Sequence, residues 1–221
     1  MTNIIANNLE NIKKEIAAHA KEWNSPIPTL VAVSKRQELD RLISALDSGH
    51  KVFGENQIQE AYDKWSQLKK DYKDITLHLI GHLQRNKVKQ ALELFEVIET
   101  IDSERLAKEI KKNWKPDSIT KEFLIQINIG EEEQKYGIMP NDADSFIDFF
   151  RNELGLPLKG LMCIPPADEN PSPYFAFMYK IAKRNNIDYL SQGMSSDYKQ
   201  AIAVTSNEIR VGTAIFGIRN S

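Results

Sequence analysis

The chain has 221 residues, enough for one sizeable core, and its 41% hydrophobic and 27% charged residues exclude a disordered or fibrous protein. Its 29 basic and 31 acidic side chains leave a formal charge of −2, which gives no net attraction to nucleic acid or to an anionic membrane surface. The single cysteine, Cys163, excludes an internal disulfide framework and suits a reducing compartment. No apolar run approaches the roughly 18–20 residues of a membrane span, and the first 23 residues lack the apolar core of a signal peptide. The expectation is a soluble cytoplasmic protein with no membrane or nucleic-acid partner.

In chain order, residues 8–23 form a first helical pattern, with Leu9, Ile12, Ile16, Ala17 and Trp23 near one face. A short apolar run at 30–33 then ends in Ser34-Lys35. Further strand candidates are 51–56, 77–82, 96–102, 123–129, 158–164, 189–194 and 208–211. Helical stripes fill most of the gaps: Leu39, Leu42, Ile43 and Leu46; Leu106, Ile110 and Trp114; Phe146, Phe149 and Phe150; Phe177, Ile181 and Ala182. Ser103 and Ser196 stand where helix N-caps are expected.

Eight strand candidates about 20–35 residues apart, alternating with helices, predict a single (β/α)8 barrel domain over 1–221, of the TIM type with an extra N-terminal helix. An open doubly wound sheet is the rival. Only ten residues follow the eighth strand, too few for a full outer helix, and the N-terminal helix can take that place.

Barrel enzymes carry their chemistry at the C-terminal ends of the strands. Here those ends hold Lys35, Glu55-Asn56, Gly81-His82, Asp102, Asn128, Met194-Ser195 and Arg210-Val211-Gly212-Thr213. Lys35 shares parity with Val31 and Val33, the side that faces inward in a barrel. Desolvation there favours the neutral amine, the form that attacks an aldehyde to give a Schiff base. The plainer alternative is a lysine that reaches out to solvent. Ser195 and Gly212-Thr213 follow strands seven and eight, the recurrent place of a phosphate cradle in barrels, although small-residue turns are common there too. Arg210 points inward by parity and needs a partner, Glu208 or another barrel-lining acid. His78 and His82 would lie about 13 Å apart on one strand (four rises of roughly 3.3 Å), too far to share a metal ion. No metal site is expected. The segment Asn128-x3-Glu132-x2-Lys135-x-Gly137 reads either as a motif or as a solvated charged loop.

Taken together, these segments resemble the pyridoxal phosphate homeostasis protein family, single-domain relatives of the barrel half of alanine racemase. The resemblance rests on Val31-Ala32-Val33-Ser34-Lys35, Phe53-Gly54-Glu55-Asn56, His78-Leu79-Ile80-Gly81-His82-Leu83-Gln84, the stretch 128–137, Leu190-Ser191-x-Gly193-Met194-Ser195-x-Asp197 and Arg210-Val211-Gly212-Thr213-Ala214-Ile215-Phe216-Gly217. It implies pyridoxal 5′-phosphate (PLP) as cofactor and Lys35 as the residue of the internal aldimine. It implies that Ser195, Gly212 and Thr213 hold the phosphate, that Arg210 faces the pyridine nitrogen, and that Asn56 and His82 lie beside the ring. The chain departs from the family at Arg36-Gln37-Glu38, where Thr-Lys-Pro is frequent, and at Gln192, where methionine is common. These departures bear on the loop beside the lysine.

An arginine at the pyridine nitrogen cannot keep that nitrogen protonated, which weakens carbanion-stabilising chemistry. The resembled racemases also draw a second acid/base from a C-terminal β-domain, for which the sequence after strand eight leaves no room. The expectation is therefore a PLP holder without catalytic residues or turnover, a monomer or weak dimer that supplies PLP-dependent apoenzymes. The alternatives are a PLP-dependent racemase or lyase using Lys35 as its base, a barrel for another phosphate ester, and a pure interaction protein.

Overall fold

Short β-branched and leucine-rich runs separated by amphipathic helices can bury both faces of each strand only in a parallel sheet covered by helices. The structure, a computed structural model, describes residues 4–217 and shows that arrangement. Strands β1 (Thr29–Val33), β2 (Val52–Glu55), β3 (Thr76–Leu79), β4 (Val97–Ile101), β5 (Glu122–Ile127), β6 (Leu158–Cys163), β7 (Leu190–Met194) and β8 (Glu208–Val211) pair in chain order, and β8 returns to β1 to close the barrel. Around them lie α1 (Ile4–Glu22), α2 (Leu39–Asp47), α3 (Ile58–Asp71), α4 (Val88–Leu92), α5 (Glu104–Asn113), α6 (Ala143–Asp148), α7 (Ser172–Arg184), α8 (Tyr198–Ala203) and α9 (Thr213–Phe216). No described helix is long and apolar enough to cross a membrane.

Alternation along the strands sorts the side chains. Leu30, Ala32, Ile209 and Val211 join the large apolar layer between sheet and helices. Phe53 does the same against Trp65 of α3, ring centroids 4.7 Å apart. The opposite parity fills the barrel. Val97, Leu124 and Met162 form a separate apolar cluster there. Gly54 faces inward because a Cβ would stand 2.9 Å from Val31 Cγ1.

Helix α1 packs against α2, α8 and α9, the position a full eighth outer helix would otherwise take. Asn8 Nδ2 donates to Ile215 O at 2.8 Å, and the Tyr198 hydroxyl donates to Glu15 at 2.7 Å. Ser103 caps α5 by accepting from Leu106 N–H at 3.4 Å.

Several helix faces differ from the sequence expectation. Trp23 lies beyond the end of α1 and is exposed, while Ile5 and Ala20 complete the buried face. Leu39 and Phe177 are exposed, and Ala45, Phe175 and Met178 take the buried positions, because packing against the sheet sets the phase of each helix. Ser196 is not a cap: α8 begins after Asp197, whose carboxylate turns back to accept from Met194 N–H at 2.5 Å. The third strand ends at Leu79, three residues before His82.

If α1 is integral to the barrel, Leu9→Ala, at a fully buried position, should cost about 2–5 kcal/mol. Urea unfolding should show the midpoint falling with its slope unchanged. A wild-type midpoint would mean that α1 is peripheral.

Candidate functional site

The C-terminal ends of β1, β7 and β8 converge because β8 pairs with both of the others. Between them opens a cleft of about 370 Å³. Lys35, Ser195, Arg210, Gly212 and Thr213 line it, with Val33, Ile80, Ile164 and Met194 as apolar walls. Backbone constraints bring the β7 and β8 loops together. Gly193 has φ +101° and a Cβ there would meet the Ala201 Cβ at 2.7 Å, so glycine makes the turn that delivers Met194 and Ser195. Gly212 N–H donates to Ser195 Oγ at 3.2 Å and ties the two loops. Gly212 also lies close to β1, where a Cβ would stand 3.2 Å from Val33 O. Thr213 and Ala214 open α9, where the first N–H groups of a helix have no intrahelical acceptor.

Arg210, 4% exposed, forms the floor on one side. It donates to Cys163 O at 2.9 Å and to Ser191 Oγ, and lies 3.7 Å from Glu99 Oε2. The acid beside it is thus Glu99 of β4. Glu208 instead accepts from the Tyr189 hydroxyl at 2.7 Å and lies 3.5 Å from His78 Nδ1. His78 Nδ1 meets Glu99 Oε1 at 2.8 Å. Ser191 Oγ stands 2.6 Å from Glu99 and 2.8 Å from Glu208.

A hydroxyl has one proton and two lone pairs. Ser191 accepts from Arg210, so it can meet both acids only if it donates to one and accepts from the other. A protonated Glu99 donating to Ser191, which donates to Glu208, satisfies every contact. The electrostatics agree. Burial and then the neighbouring Glu208 charge push Glu99 up. Burial would raise Glu208 too, but the charge and hydrogen bond of His78 outweigh it and hold Glu208 below the usual carboxylate range. Burial disfavours the His78 cation, yet Glu208 and Glu99 prevail and hold its pKa up at about 10. Two basic groups, His78 and Arg210, and two acids, Glu99 and Glu208, thus share the buried space beneath the cleft. Among the described residues, His78, Glu99 and Glu208 also come within 4.8 Å of one another as a conceivable metal set. Their ligand atoms are engaged with each other, Ser191 and Tyr189.

Asn56 and His82 are not among the walls of the cleft. The Asn56 backbone presses on Gly81, where a Cβ would stand 2.2 Å from Asn56 O. Among the described residues its buried Oδ1 has no hydrogen-bond partner. His82 sits on the rim, its Nδ1 2.7 Å from Asp102 and its ring stacked on Tyr136 at 3.8 Å. Tyr136 comes from the 128–137 loop, which braces itself: Asn128 donates to Glu132 O at 2.8 Å and accepts from Glu132 N–H at 3.2 Å. Gly137, at φ +130°, leaves no room for a Cβ beside Asn128 N. The inward acids Glu99 and Glu208 are the part of the site that strand patterns signal most weakly. The available signs are a carboxylate in the middle of β4, Glu99, and one at the first position of β8, Glu208.

The fold and this cleft define a class: PLP-type barrels of the alanine racemase kind. The alanine racemase N-terminal domain family matches residues 5–220. The chain is 34% identical to the pyridoxal phosphate homeostasis protein of Haemophilus influenzae, over 98% of this chain and 96% of that one. It is 35% identical to the protein of the same name from Escherichia coli, over 99% and 98%. Among solved structures it is similar to PipY of Synechococcus elongatus with PLP bound, with a TM-score of 0.79, 28% identity, and 96% of this chain and 100% of that chain covered. The chain belongs to the pyridoxal phosphate homeostasis protein family.

The raised His78 pKa makes a signed prediction. The folded state binds its proton more tightly than the unfolded chain, whose imidazole titrates near about 6.5. The stabilisation is therefore complete below that pH and is lost as pH rises toward about 10. Unfolding free energy should fall across this window with a contribution of up to about 1.4 kcal/mol per pH unit. Chemical unfolding of His78→Gln should lack that contribution, and an unchanged slope would contradict the assignment.

Proposed function

We propose that this protein holds PLP in the cleft at the mouth of its barrel, as a Schiff base with Lys35, and releases it to PLP-dependent apoenzymes in the cytoplasm. The observation that carries the proposal is the meeting of an amine, three hydroxyl residues (Ser195, Ser196 and Thr213), a helix start and an arginine in one cleft. That donor set fits the group. The phosphate needs N–H and O–H donors, which Ser195, Thr213 and the opening of α9 supply. The aldehyde needs a primary amine, which Lys35 would supply: imine formation there would join Nζ to the aldehyde carbon with loss of water. The ring needs apolar walls, which Val33, Ile80, Ile164 and Met194 offer. Asn56 and His82 are assigned to the ring side of the site.

The absence of turnover in this proposal rests on Arg210. A guanidinium has donors but no acceptor, so it cannot receive a pyridinium proton. Two of its five N–H donors are engaged, with Ser191 Oγ and Cys163 O. A ring nitrogen held beside Arg210 would stay unprotonated, and a cofactor bound that way would be a poor electron sink.

Adding PLP to the protein should produce visible imine absorbance that Lys35→Ala lacks. Ser195→Ala and Thr213→Val should each weaken PLP binding by about 10–100-fold in equilibrium dialysis, the worth of a hydrogen bond to a charged group. The loaded protein should not racemise or transaminate free amino acids. Full imine absorbance in Lys35→Ala, or sustained turnover by wild type, would overturn the proposal.

A further inference from the structure

Lys35 lies two residues past the end of β1. Ser34 N–H still joins the ladder at Gly54 O, 3.0 Å away, but Lys35 and Arg36 are beyond it. Arg36 has φ +56°, a left-handed conformation that non-glycine residues adopt only when their surroundings hold them there. A lysine carried on such a turn would ordinarily sample many positions.

Helix α3 stops that. Lys64 Nζ donates to Ser34 O at 2.8 Å, the carbonyl of the peptide unit on the N-terminal side of the Lys35 Cα. Glu60 Oε1 accepts from Arg36 N–H, the amide of the peptide unit on its C-terminal side. Glu60 and Lys64 are one turn apart on α3 and pair with each other at 2.7 Å. Lys64 also donates to Glu55 Oε1 at 3.0 Å, so the three protons of its ammonium group meet Ser34, Glu60 and Glu55. Glu55, fully buried at the end of β2, in turn accepts from Ser34 Oγ at 2.7 Å and Trp65 Nε1 at 3.1 Å. None of the three charged residues lines the cleft.

We propose that Glu60 and Lys64, backed by Glu55, are positioning residues that bracket both peptide units of Lys35 and thereby set how firmly its amine holds an aldehyde. The inference rests on the Schiff-base reading of Lys35. An amine whose backbone is already fixed gives up less freedom when it forms a bond to a bound carbonyl, so its effective concentration at that carbonyl is high. Loosening the bracket should weaken the covalent attachment while leaving the phosphate and ring contacts intact. Imine formation and hydrolysis exchange the same atoms as before. Only the balance between them moves, toward free aldehyde, free amine and water consumed.

The test compares PLP with pyridoxine 5′-phosphate, which has the same ring and phosphate but an alcohol in place of the aldehyde. Glu60 is at the partly exposed end of the bracket, and its removal leaves the buried Lys64–Glu55 pair in place. Glu60→Ala should bind PLP about five- to tenfold more weakly and form less imine at saturation, with pyridoxine 5′-phosphate affinity changed by less than about twofold. Glu60→Gln keeps an acceptor for Arg36 N–H and should restore most of the PLP affinity. Equal losses for both ligands would mean a general structural role and overturn the inference, as would wild-type PLP binding by Glu60→Ala. If wild type itself forms no imine, the Schiff-base reading fails and takes this inference with it. If wild type forms the imine and Glu60→Ala matches it, the bracket alone fails.

Discussion

Everything at the mouth depends on the closure of the sheet. The register that pairs β8 with β1 sets Val31 opposite Arg210. Two residues further along each strand, Val33 meets Gly212, and the chain then runs on to Lys35 on one side and Thr213 on the other. Residues nearly 180 positions apart become neighbours by backbone hydrogen bonding alone. An open sheet with the same strands would leave the amine and the small-residue turns at opposite edges. Closure also removes exposed strand edges and needs α1 to cover the outer face beside α8 and α2.

Closure has a second consequence. It forces inward-facing side chains into a space without water, and this barrel puts His78, Glu99, Ser191, Glu208 and Arg210 there. Such a group is tolerable only if its protons and lone pairs are matched. Ser191 is the hinge of that matching, since among the described residues it alone contacts Arg210 and both acids. The result is an arginine of fixed position and fixed charge beneath the cleft. Its fixed charge is the physical basis for proposing storage of a reactive aldehyde over catalysis with it. On the outer side of the sheet the bracket from α3 does the complementary work, fixing the backbone of Lys35 through residues that never enter the cleft.

Much of this was legible in the sequence, and the failures have causes. All eight strands follow from apolar runs at regular spacing, and parity alone turns Lys35 and Arg210 inward. The small residues after the last two strands, a recurrent place for a phosphate cradle in barrels, mark Ser195, Gly212 and Thr213, and all three line the cleft. The resemblance sets Asn56 and His82 beside the ring, and the structure places neither among the walls of the cleft. Strand β3 ends at Leu79 and the chain turns at Gly81, pressed on Asn56 O, which sends His82 to the rim against Asp102 and Tyr136. Trp23, Leu39 and Phe177 belong to the apolar stripes of the sequence yet are exposed, because an amphipathic stripe fixes a face only to within about a residue. Glu60 and Lys64 look in sequence like a solvated pair one turn apart. Their targets at Ser34 and Arg36 are set by tertiary packing, and no local pattern announces them.

The account turns on one bond, between the Lys35 amine and an aldehyde carbon. Borohydride reduction of the PLP-loaded protein makes that bond permanent, and peptide mapping then locates it. A single modified lysine at position 35 is the predicted result. A phosphopyridoxyl group on another lysine, or PLP bound at full stoichiometry with no lysine modified, would contradict it.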